Sequence, residues 1–367
     1  MQYWPSTPQI HHMIREFIIR ILLSPLTLLY GMAITCRNLL YKYQILRPVR
    51  FDIPIISIGN LSIGGTGKSP HIEYLVNWLK DYLPVAILSR GYKRESTGFQ
   101  IGQHTPSVKA IGDEPFQFLM KFPEIPVAVA EQRETGIPLL LKSFPGVKLI
   151  LLDDAFQHLS VKPYINILLT SYELPFTRDY LLPSGRLREW RSSYRRADII
   201  IVTKCPPDMV EQEGIKLKKE LRLLPHQSLF FTEYTYNRPY FIFDRSIQFP
   251  WRPEFFGLLV SGIANTEYLQ TYLRKQINFL QLFSFADHHW YSNYDLGQIK
   301  RQYDQLPGPN KIILTTEKDA TRLALHRDYI LENKLPIFVL PVEVSFLWNE
   351  ENQFKDILAQ KLLEFKS

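Results

Sequence analysis

Residues 55–69 read Ile55-Ile-Ser-Ile-Gly-Asn-Leu-Ser-Ile-Gly-Gly-Thr-Gly-Lys-Ser69, an apolar run followed by a glycine-rich turn that ends in Gly67-Lys68-Ser69. Consecutive backbone N–H groups in such a turn converge on phosphate oxygens, while Lys68 adds a cation and Ser69 a hydroxyl suited to Mg²⁺. The full phosphate-loop pattern begins with glycine where this chain has Ser62, so a bare pattern search passes over it. The flanks restore the context. Ile53 to Ile58 reads as a strand, and His71 to Lys80 reads as a helix with apolar residues at 72, 75, 76 and 79. Strand, glycine loop and helix in that order aim a helix N-terminus at an anion. The expected cradle for nucleotide phosphates is therefore Ile63, Gly64, Gly65, Thr66, Gly67, Lys68 and Ser69.

Further apolar runs recur along the chain, at 84–89, 125–130, 147–153, 165–169 and 197–202, and again at 257–263, 311–316 and 336–340. Near-continuous Val/Ile/Leu runs separated by crossover-length connections predict an α/β, P-loop NTPase-like fold whose mostly parallel sheet has helices on both faces. Between the two sets, residues 229–243 alternate aromatic and polar residues about Asn237-Arg238-Pro239, which reads as a two-stranded linker. The expected organisation is membrane-associating helices at 1–50, a nucleotide-binding core at 51–228, the linker at 229–243, and a smaller α/β lobe at 244–367.

With 367 residues, 46% of them apolar and 22% charged, the chain has the composition of a globular protein with a full core. Two cysteines, Cys36 and Cys205, give neither a disulfide framework nor paired metal-ligand spacing, which fits a reducing cytosolic setting. The formal charge is +7, and residues 1–50 carry most of it through Arg15, Arg20, Arg37, Lys42, Arg47 and Arg50 against Glu16 alone. A nucleic-acid surface needs its cations on the folded domains, so no nucleic-acid partner is expected. From Ile21 to Cys36 no residue is charged. That uncharged run covers about 24 Å as helix, short of the ~30 Å hydrocarbon core. Ser24-Pro25 reads as a cap followed by a helix start, dividing the segment into two short helices. Apolar helices flanked by Arg and Lys suit the membrane interface; covering the sheet of the main domain is the other use of such a segment.

Leu149-Ile-Leu-Leu-Asp-Asp154 places Asp153 and Asp154 at the carboxyl end of a buried strand, where P-loop proteins hold Mg²⁺. Gly112-Asp113-Glu114-Pro115 sets two acids before an apolar helix. Asp113 reads either as a helix cap or as the carboxylate that takes the proton of an attacking hydroxyl, with Glu114 near the metal. Spacing does not separate the two, nor does it decide whether Asp287-His288-His289 and Thr316-Glu-Lys-Asp319 are site edges or solvated turns. Ser89-Arg-Gly-Tyr-Lys-Arg94 and Pro183-Ser-Gly-Arg-Leu-Arg188 offer arginines to phosphate.

Taken in order, Gly59 to Ser69, Leu88-Ser-Arg-Gly-Tyr92, Gly112 to Pro115, Asp153-Asp-Ala-Phe-Gln-His158, Leu182-Pro-Ser-Gly-Arg-Leu-Arg-Glu189, Asp287-His288 and Thr316-Glu-Lys-Asp-Ala320 resemble the tetraacyldisaccharide 4'-kinase family, the membrane-associated lipid A kinases of Gram-negative bacteria. The resemblance implies ATP-dependent phosphorylation of the 4'-hydroxyl of an acylated glucosamine disaccharide 1-phosphate, giving lipid IVA at the cytoplasmic face of the inner membrane. No obligate protein partner is expected. The resemblance further implies that Lys68 and Ser69 hold the nucleotide phosphates and Mg²⁺, and that Asp113 is the catalytic base with His288 as its partner. Glu114, Asp153 and Asp154 would serve the metal, and Arg188 the phosphates or the transition state. The family commonly follows His158 with Arg, whereas this chain has Leu159. An interfacial helix over Ile14 to Tyr43 would present the sugar hydroxyl to ATP while the acyl chains stay in lipid.

Two other classes share the loop. A P-loop switch GTPase selects guanine with Asn-Lys-x-Asp, which Val202-Thr-Lys-Cys-Pro206 lacks, and a ParA-like ATPase has Lys where this chain has Ile63. An inactive acyl-sugar binder would not need Lys68, Ser69, Asp113 and Asp153 together.

Overall fold

The computed structural model describes residues 7–263 and 265–366, and for residues 7–17 the backbone alone. Residues 1–6 of the expected membrane segment lie outside the described residues, as do the side chains of Ile14, Arg15 and Glu16. The chain opens with α1 (Thr7–Lys42), β1 (Ile55–Asn60), α2 (Lys68–Leu79), β2 (Val85–Ser89), β3 (Gln100–Ile101), α3 (Val108–Ile111), α4 (Asp113–Lys121), β4 (Val127–Val129) and α5 (Arg133–Ser143). Next come β5 (Leu149–Asp153), β6 (Ile165–Ser171), β7 (Ile199–Thr203), α6 (Glu211–Leu221) and β8 (Ser228–Tyr236). The second half adds β9 (Tyr240–Phe241), β10 (Asp244–Gln248), β11 (Phe256–Ser261), α7 (Glu267–Leu273), β12 (Phe279–Ser284), α8 (Asn293–Gln305) and β13 (Lys311–Thr316). It ends with α9 (Glu317–Leu323), α10 (Arg327–Glu332), β14 (Ile337–Leu340), β15 (Val342–Phe346) and α11 (Glu351–Leu363).

Nine strands form the larger sheet in the order β15-β8-β7-β6-β1-β5-β2-β4-β3. Pairing from β8 to β4 is parallel, and β15 and β3 are antiparallel edges. Every residue of β1, β5 and β7 is buried, which is why β5 and β7 carry near-continuous Val/Ile/Leu runs and β1 holds three isoleucines, without the alternation of a half-exposed strand. α2 and α4 pack on one face with Ile56, Ile58, Leu151 and Val127, and Leu140 of α5 packs on the other with Leu88 and Ile150. The smaller sheet runs β10-β9-β14-β13-β11-β12, parallel from β14 to β12.

Two expectations need correction. The apolar N-terminal segment is one 36-residue helix rather than two short ones. Pro25 cannot donate to the carbonyl of Ile21, but the Ser24 hydroxyl donates to it at 2.7 Å and repairs the gap, so the helix runs on. Its stretch Ile18–Lys42 has 25 residues. That length is about 38 Å, enough to cross a bilayer. Only 6% of its most apolar window is buried, so it does not serve as a core helix of the sheet. The second correction concerns residues 229–243, whose two strands do not pair with each other: β8 joins the larger sheet and β9 the smaller. The antiparallel partner of β8 is β15, with Tyr234 opposite Val344. Pro341 interrupts the apolar run before β15 and conceals it as a separate strand.

Candidate active site

β1, β5 and β2 end side by side, and the site is built on their carboxyl ends, as expected for an open parallel sheet. After β1 the chain turns through the glycine loop into α2, with Gly67 at φ 88°. A side chain on Gly67 would also put its Cβ 2.2 Å from the Tyr234 hydroxyl, so backbone conformation and space both require glycine there. The loop is braced from below: Thr203 Oγ1 donates to the Thr66 carbonyl at 2.8 Å, and Lys204 Nζ donates to the Gly65 carbonyl at 2.6 Å. His71 Nδ1 lies 2.7 Å from the Gly67 carbonyl and its Nε2 lies 3.1 Å from Thr232 Oγ1. Burial lowers the His71 pKa to about 4, so the ring is neutral. Ser62 takes part in an antiparallel bridge with Leu187, and the Ile63 N–H donates to the Arg186 carbonyl at 2.7 Å. The residue that breaks the glycine pattern is thus the one that stitches the loop to the segment carrying Arg188.

The two acids ending β5 face different partners. Asp153 is fully buried and its Oδ2 accepts from Ser89 Oγ at 2.8 Å, leaving Oδ1 buried with no hydrogen-bond partner. Burial first, then Glu114 and Asp154, push its pKa up to about 7. Asp154 turns to φ 46°, a left-handed conformation that Asp tolerates. Its carboxylate accepts two bonds from Arg188, Nη1 at 3.0 Å and Nη2 at 2.8 Å, and Lys68 Nζ stands 3.6 Å away. Burial opposes ionisation of Asp154, but Lys68 and Arg188 outweigh it and hold the carboxyl well below the usual range. Arg188 Nη2 also reaches Asn60 Oδ1 and donates to the Asn60 carbonyl at 3.1 Å.

Asp113 begins α4 in the cleft between the lobes. Its Oδ2 lies 2.8 Å from His288 Nδ1, with Arg322 Nη1 at 3.8 Å. Burial would raise its pKa, yet the His288 hydrogen bond, Lys318 and Arg322 more than offset this and keep it ionised. Lys318 Nζ contacts His288 Nε2 at 3.2 Å and donates to Glu114 Oε1 at 3.3 Å. A small cavity between Tyr92, Gly112, Asp113, His288 and Trp290 opens at this point.

The expected site residues fall on loops, at the end of β5, or in the first turns of α2 and α4, and Ile63 to Gly65 are exposed at the lip. The structure draws Lys68, Arg188 and Asp154 together, and separately Asp113, Glu114 and His288. The metal set is looser. Among the described residues no three His, Cys, Asp or Glu side chains converge as a cage, and Asp154 and Glu114 are each engaged by a cation. The unpartnered Asp153 Oδ1 is what fits a hard cation whose other ligands come from phosphate, water and the hydroxyl of Ser69 in the first turn of α2.

Sequence reading missed Arg133, Lys204 and Arg322 and left Lys318 undecided. Arg133 is fully buried; its Nη1 donates to the Ala130 carbonyl and its Nη2 to the Asp153 carbonyl at 3.0 Å, fixing the end of β5. Arg322 is also buried and donates to Asp319 Oδ1 at 2.6 Å. An arginine inside a helical pattern reads as a solvated face, and only the fold shows that it points inward.

Comparison with known proteins gives one consistent result. Residues 19–363 match the family model described as LpxK, tetraacyldisaccharide-1-P 4'-kinase. The chain is similar to the tetraacyldisaccharide 4'-kinase of Bacteroides thetaiotaomicron, 42% identical over 343 residues and covering 90% of each chain. It is 39% identical to the enzyme of that name from Flavobacterium johnsoniae over 335 residues, 91% of this chain and 95% of the relative. Among solved structures it resembles "apo" form LpxK from Aquifex aeolicus in complex with ATP, with a TM-score of 0.72 and 29% identity, covering 94% of this chain and 99% of that one.

Proposed function

The chain belongs to the tetraacyldisaccharide-1-P 4'-kinase family, and from that premise we propose how its own residues carry phosphate to the acceptor. The activity is that of a tetraacyldisaccharide 4'-kinase of lipid A biosynthesis, an ATP-binding kinase acting on a lipid disaccharide. In this reading ATP lays its β- and γ-phosphates on the backbone from Ile63 to Gly67, with Lys68 neutralising them and the N-terminus of α2 pointing at them. Arg188 faces the same phosphates from the far side of the loop and spreads the charge that develops during transfer.

Asp113 accepts the proton of the 4'-hydroxyl as that oxygen bonds to the γ-phosphorus and the bond to ADP breaks. His288 orients the Asp113 carboxylate, and Lys318 in turn holds His288 and Glu114. Ser69 and Asp153 would hold Mg²⁺, which would neutralise phosphate charge when bound, and Asp154 and Glu114 would serve that site from their cation-paired positions. The observation that carries the transfer reading is Asp113, ionised and buried, 2.8 Å from His288 where the two lobes meet. A switch GTPase or ATPase has no need of such a base. The product would be lipid IVA, made at the cytoplasmic face of the inner membrane, with α1 as the membrane-associating element.

Incubation with radiolabelled ATP and the acylated disaccharide 1-phosphate tests the reading. Label on the lipid is expected; label released only as free phosphate would support a switch ATPase, and no transfer at all an inactive binder. Removal of residues 1–45 should abolish vesicle association and depress activity on the acylated acceptor, and retention of both would overturn the role given to α1.

A further inference from the structure

We propose that Tyr30 and Trp190 are positioning residues through which the apolar N-terminal helix sets Arg188; the inference rests on the phosphate-handling role given above to that arginine. The segment from Tyr180 to Arg191 crosses α1 and is fastened to it over several turns. Thr27 Oγ1 and Ser184 Oγ are 2.6 Å apart. The Tyr30 hydroxyl donates to the carbonyl oxygen of Arg188 itself at 2.9 Å. Trp190 Nε1 donates to the Gly31 carbonyl at 3.2 Å and to Thr35 Oγ1 at 3.0 Å. A Cβ on Gly31 would lie 2.3 Å from Trp190 Cζ2, so only glycine lets the indole rest against the helix. Arg37 pairs with Glu189, a fully buried carboxylate that also takes Arg196 at 2.7 Å.

Residues 27, 30, 31 and 35 recur at helical spacing and line one face of α1. Leu22, Leu26, Leu29 and Met32 remain 71%, 55%, 58% and 59% exposed. One face thus presents hydrocarbon and the other holds the arginine segment. Beyond that segment, the Arg188 N–H donates to the Leu61 carbonyl of the phosphate loop at 2.7 Å, and its guanidinium grips Asp154. Arg188 is therefore held by its carbonyl from α1, by its N–H from the phosphate loop, and by its side chain from the end of β5. A shift of α1 along or away from this face displaces the Arg188 backbone, while among the described residues neither the Asp113 nor the Lys68 side chain is hydrogen-bonded or ion-paired directly to α1.

Tyr30→Phe removes one hydroxyl and leaves the ring. Without its hydroxyl, kcat on the acylated acceptor should fall roughly two- to tenfold, the value of one hydrogen bond expressed in the transition state. KM for ATP and cosedimentation with phosphatidylglycerol–phosphatidylethanolamine vesicles should not change. In an Arg188→Ala background the same substitution should cost nothing further, which a double-mutant cycle reads directly. An equal loss in both backgrounds, or no loss in the wild-type chain, would overturn the coupling. Normal turnover by Arg188→Ala alone would instead bring down the role of Arg188 and the coupling with it. Gly31→Leu displaces the indole from the helix side, and a kcat loss that persists at full size without Arg188 would remove Trp190 from the proposal.

Discussion

Lys121, at the end of α4, should prove to be the bolt between the two lobes. Its Nζ lies 2.7 Å from Glu73 Oε2 of α2 and 2.9 Å from Glu317 Oε1 at the start of α9. The three side chains are 16%, 4% and 6% exposed, so the contact is buried enough to escape solvent screening. Burial and then Glu317 push the Glu73 carboxyl up to about 7, against the pull of Lys121 and Gln117. Lys121→Met keeps an unbranched side chain one atom shorter and removes its charge, leaving two buried carboxylates facing each other. Breaking a buried pair in this way costs about 3–5 kcal/mol. A carboxyl whose folded pKa lies above its unfolded value contributes stability below the unfolded pKa and loses it as pH rises toward the folded pKa. Without the ammonium the Glu73 carboxyl moves higher still, so the deficit of Lys121→Met should be larger at about pH 8 than at about pH 6. Urea unfolding of both chains at the two pH values measures this, and Glu73→Gln in the Met background should recover part of the loss at the higher pH. A deficit under about 1 kcal/mol that does not change with pH would show an ordinary solvated ion pair and refute the argument.

Asp113→Ala should lower kcat by roughly 10²–10⁴ with little change in KM for ATP; near-normal turnover would return Asp113 to the role of helix cap. Asp153→Asn removes the charge from the unpartnered buried oxygen, and the Mg²⁺ concentration for half-maximal activity should rise roughly tenfold or more, while an unchanged Mg²⁺ titration would exclude Asp153 as a ligand. His71, held neutral with a pKa lowered to about 4 from 6.5, binds fewer protons folded than unfolded across that window, so acidification through it should destabilise the chain. His71→Gln should flatten that acid limb in a thermal-unfolding series, and parallel limbs for the two chains would contradict it.

The parts of this molecule that were legible in the sequence are those whose physics is local. Near-continuous apolar runs gave away β5 and β7 because a strand buried on both faces has no polar alternation to show. The phosphate loop was legible because glycine, lysine and serine at fixed offsets answer to a single geometry. What the sequence withheld depends on partners far along the chain. Ser24 repairing the backbone at Pro25, β15 pairing with β8, and Arg133 turning inward to Asp153 each join residues by contacts that no spacing rule encodes. The pairing of Asp113 with His288 spans 175 residues, so no local spacing shows which side chain the acid meets.

The return of β15 to the larger sheet has a bearing on how the chain is made. Phe346 of that strand, with Phe354 and Leu358 of α11, packs into the same core as Ile58 and Val76 beside the phosphate loop. A ribosome releasing the chain from its N-terminus delivers α1 long before β15, the edge strand of the nucleotide lobe. Until then the β8 edge is open and that face of the core is uncovered. A message cut short anywhere before residue 346 therefore yields α1 without a finished ATP lobe, so the fold itself withholds phosphoryl transfer until β15 has been made.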